Sequence, residues 1–260
     1  MAKIYAIISG KGGVGKTTSA INLGSSLNYL GEDVIIVDAN LTTPNLGINL
    51  GAPILPITIN HVLKNEAKIE EAIYEHESGM KLIPSSLSLK ELREIDDHYK
   101  KLPELMRKLK KITNFVIMDS AAGLGEEAKS AINACDELII VTNPEISAVT
   151  DALKTIKLAE QENKKIKGLI INRYTGKNYE MSIDDILDML EIPILGIIPE
   201  DEAIKKSQIM KNPVIYTHPR SIAARSYIIA TRRILGENLE LEEHMKPGLF
   251  RRFLRSVGFK

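Results

Sequence analysis

Near the start of the chain, Gly10-Lys11-Gly12-Gly13-Val14-Gly15-Lys16-Thr17 matches the spacing G-x-x-x-x-G-K-[ST]. Each residue type answers a need of polyphosphate chemistry. Glycines let successive backbone N–H groups turn inward and surround phosphate oxygens without Cβ clashes. A helix opening at the end of the loop adds the positive end of its dipole. Lys16 offers a point charge for the β- and γ-phosphates, and the Thr17 hydroxyl is a natural Mg²⁺ ligand. The expected cradle for a nucleotide and Mg²⁺ therefore runs through Gly12, Gly13, Val14, Gly15, Lys16, Thr17 and Thr18.

Two carboxylates stand where a metal could use them. Asp38 ends the apolar run in VIIVD, and Asp119 ends the run in FVIMD. A carboxylate at the end of a buried strand suits outer-shell ligation of Mg²⁺, which keeps several of its waters. An Asp there can also cap the segment that follows, and the two roles are compatible. Other chemistry is poorly supplied. Cys135 is the only cysteine, so neither a disulfide framework nor a cysteine cluster is available within one chain. It precedes an apolar run, where a small buried residue is expected. The five histidines show no pair at metal-ligand spacing, which argues against zinc.

The elements that must carry these residues follow from periodicity. Short β-branched runs at residues 4–8, 34–37, 115–118, 138–141, 169–171 and 194–198 lack polar alternation and read as strands buried on both faces. Between them lie helical candidates near 17–30, 88–110, 125–134, 147–163, 182–190, 202–210 and 221–235. This alternation implies an α/β fold, a mostly parallel sheet with helices on both faces. Right-handed crossovers then place ligand loops at the carboxyl ends of the strands. No interior linker divides the chain, so residues 1–236 are expected to form one domain. Net charge is zero, which gives no general attraction for nucleic acid. The first residues lack the pattern of a signal peptide, and no run approaches the ~20 apolar residues of a membrane-spanning helix. A cytoplasmic protein is expected.

The loop carries a second lysine, Lys11, so that it reads KGGVGKTT. This resembles the deviant Walker A motif of the MinD/ParA superfamily of P-loop NTPases, and the MinD-like members in particular. Further matches occur in family order over residues 3–235: TNPEISAVTDA at 142–152, LIINRY at 169–174 and IIPED at 197–201. The resemblance implies an ATPase that binds ATP or ADP with Mg²⁺ and forms a homodimer around ATP. It gives Lys11 a role across the dimer interface and makes Lys11, Lys16, Asp38 and position 40 the catalytic set, with Thr17, Asp38 and Asp119 about the metal. It also places Asn172, Arg173, Pro199, Glu200 and Asp201 around the adenine, and a regulatory-protein surface near Asp151. Two positions depart from the family pattern. Asn40 stands where the family has the second Asp of switch I, and an amide can hold a water but cannot take its proton. Slow hydrolysis is the expectation. Ala121 replaces a Pro after the Walker B strand.

The end of the chain changes character. An acidic stretch and the breaker pair Pro247-Gly248 make residues 237–248 an expected linker to a tail at 249–260. In that tail Leu249, Phe250, Phe253, Leu254 and Val257 fall on one helical face, with Arg251, Arg252 and Arg255 on the other. The pattern fits a helix lying in anionic headgroups, as the resemblance also implies, on the inner face of the cell membrane. A terminal helix docked on the body by its apolar face would show the same pattern. Three functions thus stand beside one another: a membrane-cycling spatial regulator, a ParA-like DNA partitioner, and a nucleotide-bound polar scaffold with negligible hydrolysis. The apolar tail and neutral charge disfavour DNA. Cluster-carrying relatives bridge subunits with paired cysteines, which a single cysteine cannot supply.

Overall fold

In a computed structural model, which describes residues 2–88 and 96–239, every long apolar run is a strand. The strands are β1 (Lys3–Ile8), β2 (Val34–Ala39), β3 (Tyr74–Glu75), β4 (Lys81–Ile83), β5 (Phe115–Ser120), β6 (Glu137–Thr142), β7 (Lys165–Tyr174) and β8 (Ile194–Pro199). They form one sheet in the order β3-β4-β2-β5-β1-β6-β7-β8. All neighbours pair in parallel except the short β3–β4 hairpin.

Alternation along β1 explains why its sequence is apolar throughout. Ile4, Ala6 and Ile8 enter one core, while Tyr5 and Ile7 enter the other. The first core is covered by α3 (Ile59–Leu63), α4 (Leu102–Leu109), α5 (Glu126–Ala134), most of the buried face of α6 (Ile146–Gln161), and α7 (Ile183–Leu190). The second is covered by α1 (Lys16–Tyr29), with Leu46 of α2 (Leu46–Asn49), Ala203 of α8 (Glu202–Ile209), α9 (Val214–Thr217) and α10 (Ile222–Ile234). Burial on both faces removes any need for a polar phase in the strands.

Helix boundaries follow local chemistry. Ser182 and Ser221 cap α7 and α10 by accepting from the Asp185 and Ala224 N–H groups. Gly24 sits inside α1 at a cost of about 1 kcal/mol relative to alanine. A Cβ there would collide with the Ile36 side chain, so the missing side chain lets α1 lie close to β2.

The sequence expectations for six strands and for the helices near 17–30, 125–134, 147–163, 182–190, 202–210 and 221–235 hold to within one or two residues, except that β7 is longer. The 88–110 candidate does not hold as one helix. Its described part is a 3-10 segment, Asp96–Lys101, followed by α4, with Pro103 in the first turn of α4. The β3–β4 hairpin, α2, α3 and α9 were not expected, because each is five residues or shorter and too brief to show a period. The tail at 249–260, and all but the first three residues of the linker, lie outside the described residues.

The chain reverses direction across the sheet at β1, whose neighbours are β5 and β6. A ligand crevice is expected at the carboxyl ends of strands flanking such a switch point. The Gly10–Thr17 loop, Asp38 and Asp119 all sit at that edge.

Candidate nucleotide site

The loop after β1 reaches α1 through Gly13 and Gly15, whose φ angles of 80° and 95° lie in the left-handed region. Gly15 is the N-cap of α1 and gives no side-chain cap, so the first N–H groups of that helix are left for a ligand. A Cβ at Gly12 or Gly13 would meet nothing within 4 Å, so both positions border open space. Behind the loop, Asn172 Nδ2 donates to Val14 O at 2.8 Å. The Asn143 amide nitrogen, oriented as its surroundings require, lies 3.0 Å from the same carbonyl. Two side chains from β7 and the end of β6 thus hold the loop's curvature.

Lys16 Nζ donates to Asp119 Oδ1 at 3.1 Å, with side-chain exposures of 8% and 0%. The other Asp119 oxygen, Oδ2, is buried without a hydrogen-bond partner. Asp38 stands beside it, in register on the neighbouring strand. Asp38 Oδ1 accepts from Asn40 N at 3.2 Å, and Oδ2 accepts from Asn45 N at 3.2 Å and Leu46 N at 3.0 Å. Burial, and then the charge of Asp119, push the Asp38 carboxyl up to about 8. Two buried carboxyl groups thus stand beside one ammonium, with one Asp119 oxygen unpartnered and a proton on Asp38 that a cation could replace. That donor set fits a hard divalent cation such as Mg²⁺. Thr17 is half-buried in the first turn of α1.

Asn40 is nearly buried, and its amide turns into its own loop. Oδ1 accepts from Thr43 N at 3.2 Å and from the Thr43 hydroxyl at 3.0 Å, while Nδ2 donates to Thr43 O at 2.7 Å. Lys11 lies on the rim, donating to Glu145 Oε2 at 3.3 Å and Ser147 Oγ at 3.1 Å. Both partners come from the start of α6, the segment that also carries Asp151.

A pocket of about 90 Å³ brings together Thr18, Asn172, Arg173, Pro199, Glu200 and Asp201, all six of them named from sequence. Arg173 has φ 58°, at the irregularity where β7 and β8 shift register. Asp201 is engaged with backbone: Oδ1 accepts from Ala203 N and Oδ2 from Ala223 N. Ile204, Lys205 and Gln208 of α8 complete the lining, and Gln208 Nε2 donates to Thr18 Oγ1 at 3.2 Å. These three were not singled out from sequence. Their spacing along one face after the IIPED string was the available signal. Glu127, Glu145 and Ser147 were also not assigned roles, because their partners are distant in the chain.

Residues 2–168 match the family model described as AAA domain. The septum site-determining protein MinD of Bacillus subtilis is 34% identical over 272 aligned positions, covering 100% of both chains. The chain belongs to the MinD/ParA family of ATPases. An uncharacterised ATP-binding protein of Methanocaldococcus jannaschii is 34% identical and covers 99% of this chain and 97% of its own. Among solved structures, MinD of Pyrococcus horikoshii complexed with Mg-ADP has a TM-score of 0.85 at 35% identity, over 90% of this chain and 96% of that one. A second family model, described as 4Fe-4S iron sulfur cluster binding proteins of the NifH/frxC family, matches residues 124–248. It brings no cluster ligands with it, since this MinD-family chain has one cysteine and Cys135 is buried, its thiol pushed up to about 12 by burial.

Proposed function

We propose that this MinD-family ATPase is a nucleotide-gated membrane switch and spatial regulator. ATP closes two copies face to face, paired tails hold the dimer on an anionic membrane, and slow hydrolysis resets it. The observation that carries the reading is the position of Lys11. It pairs with Glu145 and Ser147 at the rim, its side chain 42% exposed, while Lys16 pairs with Asp119 in the interior. An exposed pair of this kind is worth only about 0–1 kcal/mol, so Lys11 is free to exchange its partners for a phosphate across an interface. Exposed apolar residues lie along the same edge. Leu87, Leu124 and Ile146 follow β4, β5 and β6, with exposures of 38%, 38% and 63%.

Within one subunit, the loop N–H groups and Lys16 would bind and orient the phosphates, while the pocket at Arg173 and Pro199 takes the base. Thr17, Asp38 and Asp119 would hold Mg²⁺, which supplies positive charge to the phosphate oxygens. Because burial favours the protonated form of Asp38, a cation held there would favour its ionised form instead. Asn40 has no proton-accepting group, so a water aligned there is oriented without being deprotonated. The same feature supports a second reading, a long-lived ATP-bound scaffold with turnover incidental.

The tail supplies the membrane step. Each Leu or Phe contributes about 1.5–3 kcal/mol at full burial, against the cost of ordering a helix too short to persist in water. One tail binds weakly, and two on a dimer gain about 10²–10⁴-fold in avidity. In the MinC:MinD complex of Aquifex aeolicus, whose structure has a TM-score of 0.83 at 30% identity, a MinD assembles with a partner protein. By analogy a regulatory partner would meet this chain near Asp151. Liposome co-sedimentation with ATP, ADP or no nucleotide tests the reading, on the full chain and a chain ending at Gly236. Pelleting that needs both ATP and the tail supports it, and phosphate release distinguishes the cycling switch from the scaffold. Nucleotide-indifferent pelleting overturns it.

A further inference from the structure

The loop from Asn40 to Leu46 follows Asp38 and borders the phosphate site. Apart from Pro44, every residue in it has its N–H bound to a side-chain acceptor. Asp38 takes those of Asn40, Asn45 and Leu46. Asn40 takes that of Thr43 at 3.2 Å. The remaining two belong to Glu127: its Oε1 accepts from Leu41 N and from Thr42 N, the latter at 3.3 Å. Its Oε2 accepts from the Thr42 hydroxyl at 2.9 Å. One carboxylate therefore captures three donors of a loop more than eighty positions away.

Glu127 occupies the first turn of α5, where an acid normally serves its own helix. Its neighbour Glu126 does so, pairing with Lys129 at 2.8 Å. Glu127 instead leaves the helix for the loop, although Gly125 gives α5 no side-chain cap. Hydrogen bonds to an ionised acceptor are stronger than neutral ones, and three of them converge on two residues. The contact joins the segment after β2 to the segment after β5, the two strands that carry Asp38 and Asp119.

In this arrangement Asn40 is withdrawn from any water. Its oxygen already accepts two hydrogen bonds from Thr43, and its nitrogen donates to the Thr43 carbonyl. Freeing the Asn40 amide requires the 40–43 turn to open, and Glu127 holds the middle of that turn. We propose that Glu127 is a positioning residue that latches this loop to α5 in a resting arrangement, so that only the unlatched fraction of the protein turns over ATP. Its hydrogen bonds among the described residues go to Leu41 and Thr42 rather than to Lys16, Thr17, Asp38 or Asp119, and it acts through that loop. The inference rests on the ATPase switch described above.

The test compares the full chain with Glu127→Ala, Glu127→Gln and Thr42→Val. Amide hydrogen exchange is read first, without nucleotide. Losing hydrogen bonds to a charged group should speed exchange at Leu41 and Thr42 by about tenfold or more in Glu127→Ala. Glu127→Gln keeps an acceptor and should fall between, as should Thr42→Val, which removes only the hydroxyl bond; core amides stay as they are. In steady-state hydrolysis, Glu127→Ala should raise kcat several-fold with KM for ATP little changed. Unchanged exchange at Leu41 and Thr42 overturns the latch. Faster exchange with a lower kcat overturns the resting assignment, since the latched loop would then be the working one. Because exchange is read on the nucleotide-free protein, its failure bears on the latch alone. Absence of phosphate release from the unaltered chain would instead sink the switch reading.

Discussion

Asp38 and Asp119 face each other in register on adjacent parallel strands, and their oxygens are treated differently. Both oxygens of Asp38 accept backbone N–H groups, whereas Asp119 gives one oxygen to Lys16 and leaves the other buried and unpartnered. One carboxyl shapes the loop, and the other keeps a lone pair available beside the phosphate cradle.

This pair makes the nucleotide-free protein pH-sensitive. The Asp38 carboxyl is pushed up to about 8 from an ordinary 3.8, chiefly by burial and then by Asp119. The folded state therefore holds a proton that the unfolded chain has released. The stabilising contribution is full below the unfolded value, and it is lost as pH rises through the folded one. Melting temperature without nucleotide should fall between about pH 4 and 8 and level off above that, and Mg-ATP should flatten the slope. Calorimetric titration at pH 7 in buffers of different ionisation heat should show proton release on Mg-nucleotide binding. Uptake, or no exchange of protons, would contradict the arrangement.

Asn40→Asp restores a group that can take a proton from water. General-base catalysis typically contributes about 10²–10⁴-fold, but the Nδ2 bond to Thr43 is lost, so a rise in kcat of roughly tenfold or more is expected. Phosphate release measured with anionic liposomes checks it. An unchanged or lower rate would show that position 40 does not limit hydrolysis.

Lys11→Ala should separate binding from assembly. The side chain lies outside the Lys16–Asp119 interior and makes an exposed pair worth about 0–1 kcal/mol, so stability and ADP affinity should change by less than about threefold. ATP-dependent dimer should disappear in sedimentation velocity. A variant that still dimerises with ATP would remove the role proposed for this residue.

Gly24→Ala tests the packing of α1 on the sheet. Helix propensity alone favours alanine by about 1 kcal/mol. The new methyl would meet the Ile36 side chain, and overpacking typically costs about 1–3 kcal/mol. Urea unfolding should therefore show net destabilisation. A more stable variant would mean that Ile36 can move aside.

The phosphate loop was legible from sequence because its geometry is local: eight consecutive residues, with glycines at left-handed φ, build it between β1 and α1. The strands were legible because burial on both faces leaves an uninterrupted apolar signature. The residues that line the pocket at Arg173 were legible only through resemblance, since Asn172, Arg173 and Pro199 carry no period or spacing of their own. Elements of five residues or fewer, such as the β3–β4 hairpin, carry too few side chains to reveal a face.

The fold class, the glycine-rich loop and the two strand-end carboxylates follow from residue types and spacing alone. Which distant residues meet is set by the packed fold: Glu127 with Leu41 and Thr42, Lys11 with Glu145 and Ser147, Gln208 with Thr18. Local periodicity reports which face of an element is buried, but not which strand lies beside it. The order β2-β5-β1-β6 alone brings the ends of four strands to one crevice. Contacts between residues far apart in the chain depend on that order, and the physical forces that set it act on the whole packed sheet.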